Sequence, residues 1–236
     1  MSGQRAVVTG ATKGIGKAVT ETLAEKGYHV FINARTQADL EHFQSELVEQ
    51  YPDQKFPLFA ADLSSKEGVK LLGKAIQSEW DSLHVLVNNA GVFRPGELLK
   101  EEPGQLELQI NTNLYSAYHL TRALIGLMEK AAWGHIFNMC SVASLMAYPG
   151  GGSYCISKFA LLGFSKVLRK ELQSTHIKVT ALMPGATWSD SWAGADFPED
   201  RLMQPEDIAR AVWCALDMGP SATLEEIVIR PQQGDL

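Results

Sequence analysis

The chain has 236 residues, 45% of them hydrophobic and 20% charged, which is enough apolar material for the buried core of one large α/β domain. A formal net charge of -6 and the lack of any Lys/Arg-rich block argue against a general binder of nucleic-acid phosphates. Three widely spaced cysteines (Cys140, Cys155, Cys214) and six scattered histidines form neither a CxxC nor an HExxH spacing, so neither a disulfide framework nor a metal site is expected.

The opening residues, MSGQRAVVTG, lack the charged, apolar, small order of a secretory signal, and no apolar run reaches membrane-spanning length. A cytoplasmic protein without membrane contact is expected. The first apolar run, RAVVTG, is closed by glycine and reads as a buried strand. KAVTETLAEKG follows with Val19 and Leu23 at helical spacing, and Gly27 supplies a C-terminal stop. The alternation continues with strand YHVFINA, helix QADLEHFQSELVEQY, strand KFPLFAADL, helix SKEGVKLLGKAIQSEW and strand HVLVNNAG. A long helix is expected from Gly104 to Lys130. Then come strand GHIFNMCS, a helix from Tyr154 to Ser174, strand KVTALMPG, helix PEDIARAVWCALDM and a last strand, EEIVIRP.

Short, continuously apolar strands alternating with helices predict an α/β fold: a doubly wound, seven-stranded, mostly parallel sheet with helices on both faces. No linker, repeat or low-complexity tract divides the chain, so residues 1–236 are expected to form a single domain. The segment from Ala186 to Met203 is irregular and carries Trp188, Trp192 and Phe197. Loops of this length are usually functional or disordered. The two tryptophans read equally well as the lining of a substrate pocket and as a cover for an exposed core edge.

The first strand–helix junction, TGATKGIG, is a Gly-x-x-x-Gly-x-Gly turn from Thr9 to Gly16. Glycines let the backbone turn tightly and approach a pyrophosphate at the N-terminus of the next helix; the bland alternative is an ordinary glycine-rich turn. NAD binders place an acid at the end of strand two, but here that strand ends FINART and Arg35 stands in the place. A guanidinium pairs with a 2′-phosphate that an acid would repel, and Lys13 in the glycine loop adds a second cation. Each cation alone reads equally as solvated surface. Together they predict NADP(H) in preference to NAD(H).

In GGGSYCISKF, Tyr154 and Lys158 stand four residues apart and so share a helix face. A phenol titrates near pH 10 in water, and a neighbouring ammonium favours the phenolate, so the pair suits proton handling. A surface pair by chance is the competing reading. Ser141, at the end of strand five, and NNAG, Asn88 to Gly91 at the end of strand four, lie at the sheet edge where ligands bind.

With these residues assembled, the chain resembles the short-chain dehydrogenase/reductase superfamily, in its single-domain, Rossmann-only form, over nearly its whole length. The resemblance rests on Thr9, Gly10, Gly14, Ile15 and Gly16, on the Asp62-Leu63 pair, on Asn88 to Gly91, on Ser141, Tyr154 and Lys158, and on Pro184-Gly185. It implies a catalytic set of Asn113, Ser141, Tyr154 and Lys158, with Asn113 preferred over Asn111. It implies cofactor contacts from Gly10, Thr12, Lys13, Gly14, Ile15, Gly16, Arg35, Thr36, Asp62, Leu63, Asn89, Ala90, Gly91, Tyr154, Lys158, Pro184, Gly185 and Thr187. His84 departs from the acid common at its position, and the ending EEIVIRPQQGDL lacks the glycine pair common in acyl-carrier-protein ketoreductases. The expected activity is hydride transfer between NADP(H) and a small carbonyl or secondary alcohol. The alternatives are a 3-oxoacyl-type ketoreductase and a non-catalytic NADP(H)-binding redox sensor. A homodimer or homotetramer is also implied. Cys140 and Cys155, beside the catalytic residues, read as buried packing rather than as a redox switch.

Overall fold

The computed structural model describes residues 3–189, 198 and 201–235. Its strands are β1 (Arg5–Thr9), β2 (His29–Ala34), β3 (Leu58–Ala60), β4 (Val85–Asn88), β5 (Gly134–Met139), β6 (Ile177–Pro184) and β7 (Glu226–Ile229). Its helices are α1 (Gly14–Glu25), α2 (Gln37–Gln50), α3 (Lys66–Glu79), α4 (Gln105–Ile110), α5 (Ser116–Glu129), α6 (Gly152–Leu172) and α7 (Pro205–Leu216). The strands form one sheet in the order β3-β2-β1-β4-β5-β6-β7. Every neighbouring pair is parallel, so the sheet expected to be mostly parallel is wholly so.

Strand side chains alternate between two covered faces. Ala6 and Val8 of β1 join Val19, Leu23, Leu40, Phe43 and Ile208 from α1, α2 and α7. Val7 joins Leu72, Ile76, Leu120 and Leu124 from α3 and α5. Because the central strands are buried on both faces, they read as mostly apolar runs, while the edge strand β7 is partly exposed.

The end of α1 confirms the reading of Gly27, which takes φ +87. Gly27 N–H donates to Ala24 O at 2.9 Å and Tyr28 N–H to Leu23 O at 3.0 Å, the paired bonds of a Schellman stop. The helix expected from Gly104 to Lys130 is continuous, but it contains a π-helical turn over Asn111–Tyr115, between α4 and α5. The chain leaves β1 toward β2 and β3 on one side, and β4 opens the other. The carboxyl ends of β1 and β4 therefore flank the switch point, where a doubly wound sheet forms its crevice.

Candidate active site

At the switch point the two strand ends are laced together. Thr9 Oγ1 accepts the backbone N–H groups of Asn89 and Ala90 at 3.0 and 2.9 Å, and donates to Val87 O at 3.3 Å. Asn89 Nδ2 donates to Thr9 O at 2.9 Å and to Gly10 O at 3.1 Å. Gly10 and Gly14 take φ +63 and φ +50, a region glycine enters freely. Gly16 is required for a different reason. A Cβ there would collide with Gly10 O and the Asn89 amide, so its lack of a side chain lets α1 close on the loop. Main chain is thus presented at the N-terminus of α1, whose first turn carries no acid, an arrangement suited to an anion.

Across the crevice, α6 brings Lys158 Nζ to 5.7 Å from the centroid of the Tyr154 ring. Lys158 is buried, and its ammonium donates to Met139 O at 2.7 Å. Nζ lies beside Gly91: a Cβ built on that glycine would stand 3.7 Å from Nζ and 3.2 Å from Asn113 Oδ1. Ser141 follows β5 and caps a short 3₁₀ turn, Val142–Ser144, its Oγ accepting the Ala143 N–H at 3.1 Å. Among the described residues its acceptor is Pro184 O at 3.5 Å, the outer limit of a hydrogen bond, so the hydroxyl proton is weakly committed.

Asn113 is 1% exposed, and its amide brackets the main chain of Val92. Oδ1 accepts Val92 N–H at 2.7 Å, while Nδ2 donates to Val92 O at 3.0 Å and to Ser157 Oγ at 2.8 Å. Both amide hydrogens are therefore engaged, and Oδ1, which accepts the Val92 N–H, lies on the Gly91 side together with Lys158 Nζ. Asn111, in the same π turn, is half-exposed. One turn earlier, the buried Gln109 brackets Arg94 in the same manner, accepting its N–H at 3.2 Å and donating to its C=O at 3.3 Å. Sequence reasoning missed Gln109, although two carboxamides four apart on one helix were there to be seen. It also missed Phe93, whose ring meets that of Tyr154 edge-on at 4.8 Å. Tyr148 was missed too; burial first, then the nearby Tyr154 and Cys155, pushes its phenol up to about 12.

The remaining expected residues line the same carboxyl edge of the sheet. Arg35 and Thr36 are exposed directly after β2, and Arg35 makes no ion pair with another described residue. Lys13 is exposed at the start of α1, Thr12 is half-buried beside it, and Ile15 packs on the core. Asp62 is exposed and accepts the Ser64 N–H at 2.9 Å, while Leu63 is buried. Pro184 ends β6, Gly185 N–H donates to Ile229 O at 2.8 Å, and the buried Thr187 donates to Gly185 O at 3.1 Å.

Trp188 lies with Gly14, Lys17, Ala18 and Pro205 around a cleft of about 200 Å³. That places it over the seam of α1 and α7, on the glycine-loop side of the fold. Trp192 and Phe197 lie outside the described residues. His84 accepts the Arg5 N–H on Nδ1 at 3.2 Å, so its position needs an acceptor rather than a charge. Cys140 and Cys155 are buried; desolvation pushes the Cys140 thiol up to about 11, which keeps it protonated and suits packing.

The chain matches the family described as short chain dehydrogenase over residues 4–197. It is 34% identical over 238 residues to the sepiapterin reductase of Chlorobaculum tepidum, covering 98% of this chain and 97% of that protein. It is 33% identical over 222 residues to the 3-oxoacyl-acyl-carrier-protein reductase of Haemophilus influenzae, covering 90% of each. Among solved structures, the alcohol dehydrogenase of the archaeon Thermococcus sibiricus, complexed with 5-hydroxy-NADP, is similar with a TM-score of 0.90 at 26% identity, over 99% of this chain and 98% of that one. The chain belongs to the short chain dehydrogenase family.

Proposed function

We propose that residues 1–236 form one NADP(H)-dependent oxidoreductase domain that reduces a small carbonyl compound to a secondary alcohol. The observation that carries the reading is Lys158 Nζ set beside both the Tyr154 ring and Gly91, with Ser141 directly after β5 at the same carboxyl edge of the sheet. The glycine cradle fits a pyrophosphate, and the exposed Arg35 and Lys13 fit a 2′-phosphate. The Thermococcus sibiricus relative, which carries an NADP derivative, supports that cofactor.

When bound, NADPH supplies the hydride. Tyr154 donates a proton from its hydroxyl to the carbonyl oxygen. Lys158, fixed by Met139 O, places a positive charge beside the phenol and steadies the phenolate left behind. The loosely held Ser141 hydroxyl donates a hydrogen bond to the same carbonyl oxygen. Asn113 offers an oxygen through which a water can link Lys158 to solvent.

Sepiapterin is the first substrate to test because of the Chlorobaculum relative. A 3-oxoacyl thioester is the second reading, favoured by the Haemophilus relative. The protein is further proposed to act in the cytoplasm as a homodimer or homotetramer. Ile156, Phe159 and Val167 form an exposed apolar stripe on α6, with Tyr115 exposed beside α5. No helix among the described residues is long and apolar enough to cross a membrane.

The test is NADPH oxidation across a carbonyl panel, with Tyr154→Phe as control. Loss of turnover with NADPH still bound is the expected result. Retained turnover removes Tyr154 from the acid role, and tighter binding of NADH than of NADPH overturns the cofactor preference. A wild-type protein that binds NADPH but turns over nothing favours the non-catalytic sensor.

A further inference from the structure

The glycine triplet before Tyr154 takes no part in this chemistry, yet the structure gives each of its bends a partner. Gly150 has φ +79 and Gly152 φ +29. A Cβ on Gly152 would collide with Glu101 Oε1, and one on Gly151 with Cys155 Sγ. Glu101 belongs to the irregular segment between β4 and α4, 52 positions before Ser153. Its Oε1 accepts the Ser153 backbone N–H at 2.9 Å, and its Oε2 accepts the Ser153 hydroxyl. Ser153 is 1% exposed. The N-cap of α6 is Gly151, which has no side chain to offer, so the helix cannot cap itself. Glu101 fills that place from elsewhere in the chain, as an anion at the positive end of a 21-residue helix.

The segment that carries Glu101 is itself held at several points. Asn113 brackets Val92, Gln109 brackets Arg94, and Gly96 N–H donates to Gly150 O at 2.9 Å. Between the first two brackets, Phe93 sets its ring against Tyr154. A grip on Ser153 is therefore a grip on the residue next to Tyr154, applied by the same wall that touches the Tyr154 ring.

We infer that Glu101 is a positioning residue for Tyr154: it caps α6 in trans and fixes the turn that aims the phenol. The catalytic half of this inference rests on the reductase reading, while the capping half does not. Turnover, rather than cofactor binding, should respond, because Glu101 meets α6 and none of the glycine-loop residues.

Full-length wild type, Glu101→Ala and Glu101→Gln are compared by hydrogen exchange at the α6 first-turn amides, by NADPH dissociation constant and by kcat. Glu101→Ala should speed exchange over residues 153–157 by about tenfold or more, as expected when a local opening loses its restraint. It should lower kcat by roughly 10- to 100-fold, the usual consequence of a misplaced reacting group, with the NADPH dissociation constant unchanged. Glu101→Gln still accepts the Ser153 N–H and should restore most of kcat. A purely structural cap would lower Tm and leave kcat per folded enzyme intact. That result, or unchanged exchange in Glu101→Ala, overturns the inference. If Glu101→Ala does not fold, Glu101→Asp, one methylene short of Ser153, is measured the same way. If the wild type reduces no carbonyl, the reductase reading fails on its own, and exchange still decides whether Glu101 caps α6.

Discussion

Replacing His135 with Gln should remove much of the protein's sensitivity to mild acid. His135 lies in the middle of the sheet at 1% exposure, stacked on Phe137 at 4.1 Å. Its Nε2 is 2.7 Å from Thr180 Oγ1, and Thr180 donates its single hydroxyl proton to Leu224 O at 2.6 Å. Thr180 can therefore only accept from His135, which fixes the imidazole as the neutral Nε2–H tautomer. Burial, and secondarily the Lys178 cation, push the His135 pKa down to about 3 from an ordinary 6.5.

A depressed imidazole pKa means that the unfolded chain takes up its proton first as the pH falls. The stability contributed by neutral His135 is complete above about pH 6.5 and is lost progressively toward about pH 3. One proton of difference is worth about 1.4 kcal/mol per pH unit, so acidifying from about pH 7 to about pH 5 should cost on the order of 2 kcal/mol. Most carboxylates titrate below this window. Urea midpoints for wild type and His135→Gln, whose amide can still donate to Thr180, measure the difference. The variant should be less stable near neutrality but lose about 2 kcal/mol less across the window. His29, His84 and His119 are also lowered, chiefly by burial, and leave a residual slope of the same sign in both proteins. Equal slopes for the two proteins would refute the argument.

Gly16→Ala should cost about 1–3 kcal/mol by overpacking against Gly10 O and should weaken NADPH binding. Gly14→Ala, whose nearest neighbour would be Ser189 Cβ at 3.9 Å, should incur only the left-handed backbone penalty of about 1–2 kcal/mol; a larger effect on NADPH affinity from Gly14→Ala than from Gly16→Ala would overturn the close-packing argument. Arg35→Glu should weaken NADPH binding by about tenfold or more, the worth of a charge-assisted hydrogen bond, without harming NADH binding. Parallel losses for both cofactors in a titration would remove Arg35 from the 2′-phosphate.

The strand–helix alternation was legible because the central strands are buried on both faces and are mostly apolar. The glycine loop, Ser141 and the Tyr154–Lys158 pair were legible because each is a short local pattern at a strand end or on one helix face. The π turn was not, since Asn111–Tyr115 continues the apolar rhythm of the helices on either side of it. The grip of Glu101 on Ser153 joins two irregular segments that share no periodicity, so nothing in the sequence paired them. The side on which Trp188 packs was open for the same reason. Gly16 was read as a backbone-approach glycine, but which atoms demand its bare Cα emerges only when Asn89 reaches across from β4.

The two carboxamide brackets favour the proposed choice of Asn113 over Asn111 for the site. Val92 and Arg94 are two residues apart, the spacing at which an extended chain turns the same edge outward, with a rise of about 6.6–6.8 Å. Gln109 and Asn113 are four apart on a helix, a rise of about 6.0 Å on one face. The spacings match closely enough for each amide to meet both the N–H and the C=O of one loop residue, as a neighbouring strand would. Asn111, two positions from Gln109, is turned about 200° around the helix and cannot share that face. The long helix thus supplies the missing strand for the segment bearing Phe93 and Glu101. Since Asn113 also donates to Ser157, and Ser157 to Tyr154 O, the bracket ends on α6 itself. Tyr154 is then held from three directions, by Phe93 at its ring, by Ser157 at its carbonyl and by Glu101 through Ser153, in keeping with its proposed role as the proton donor.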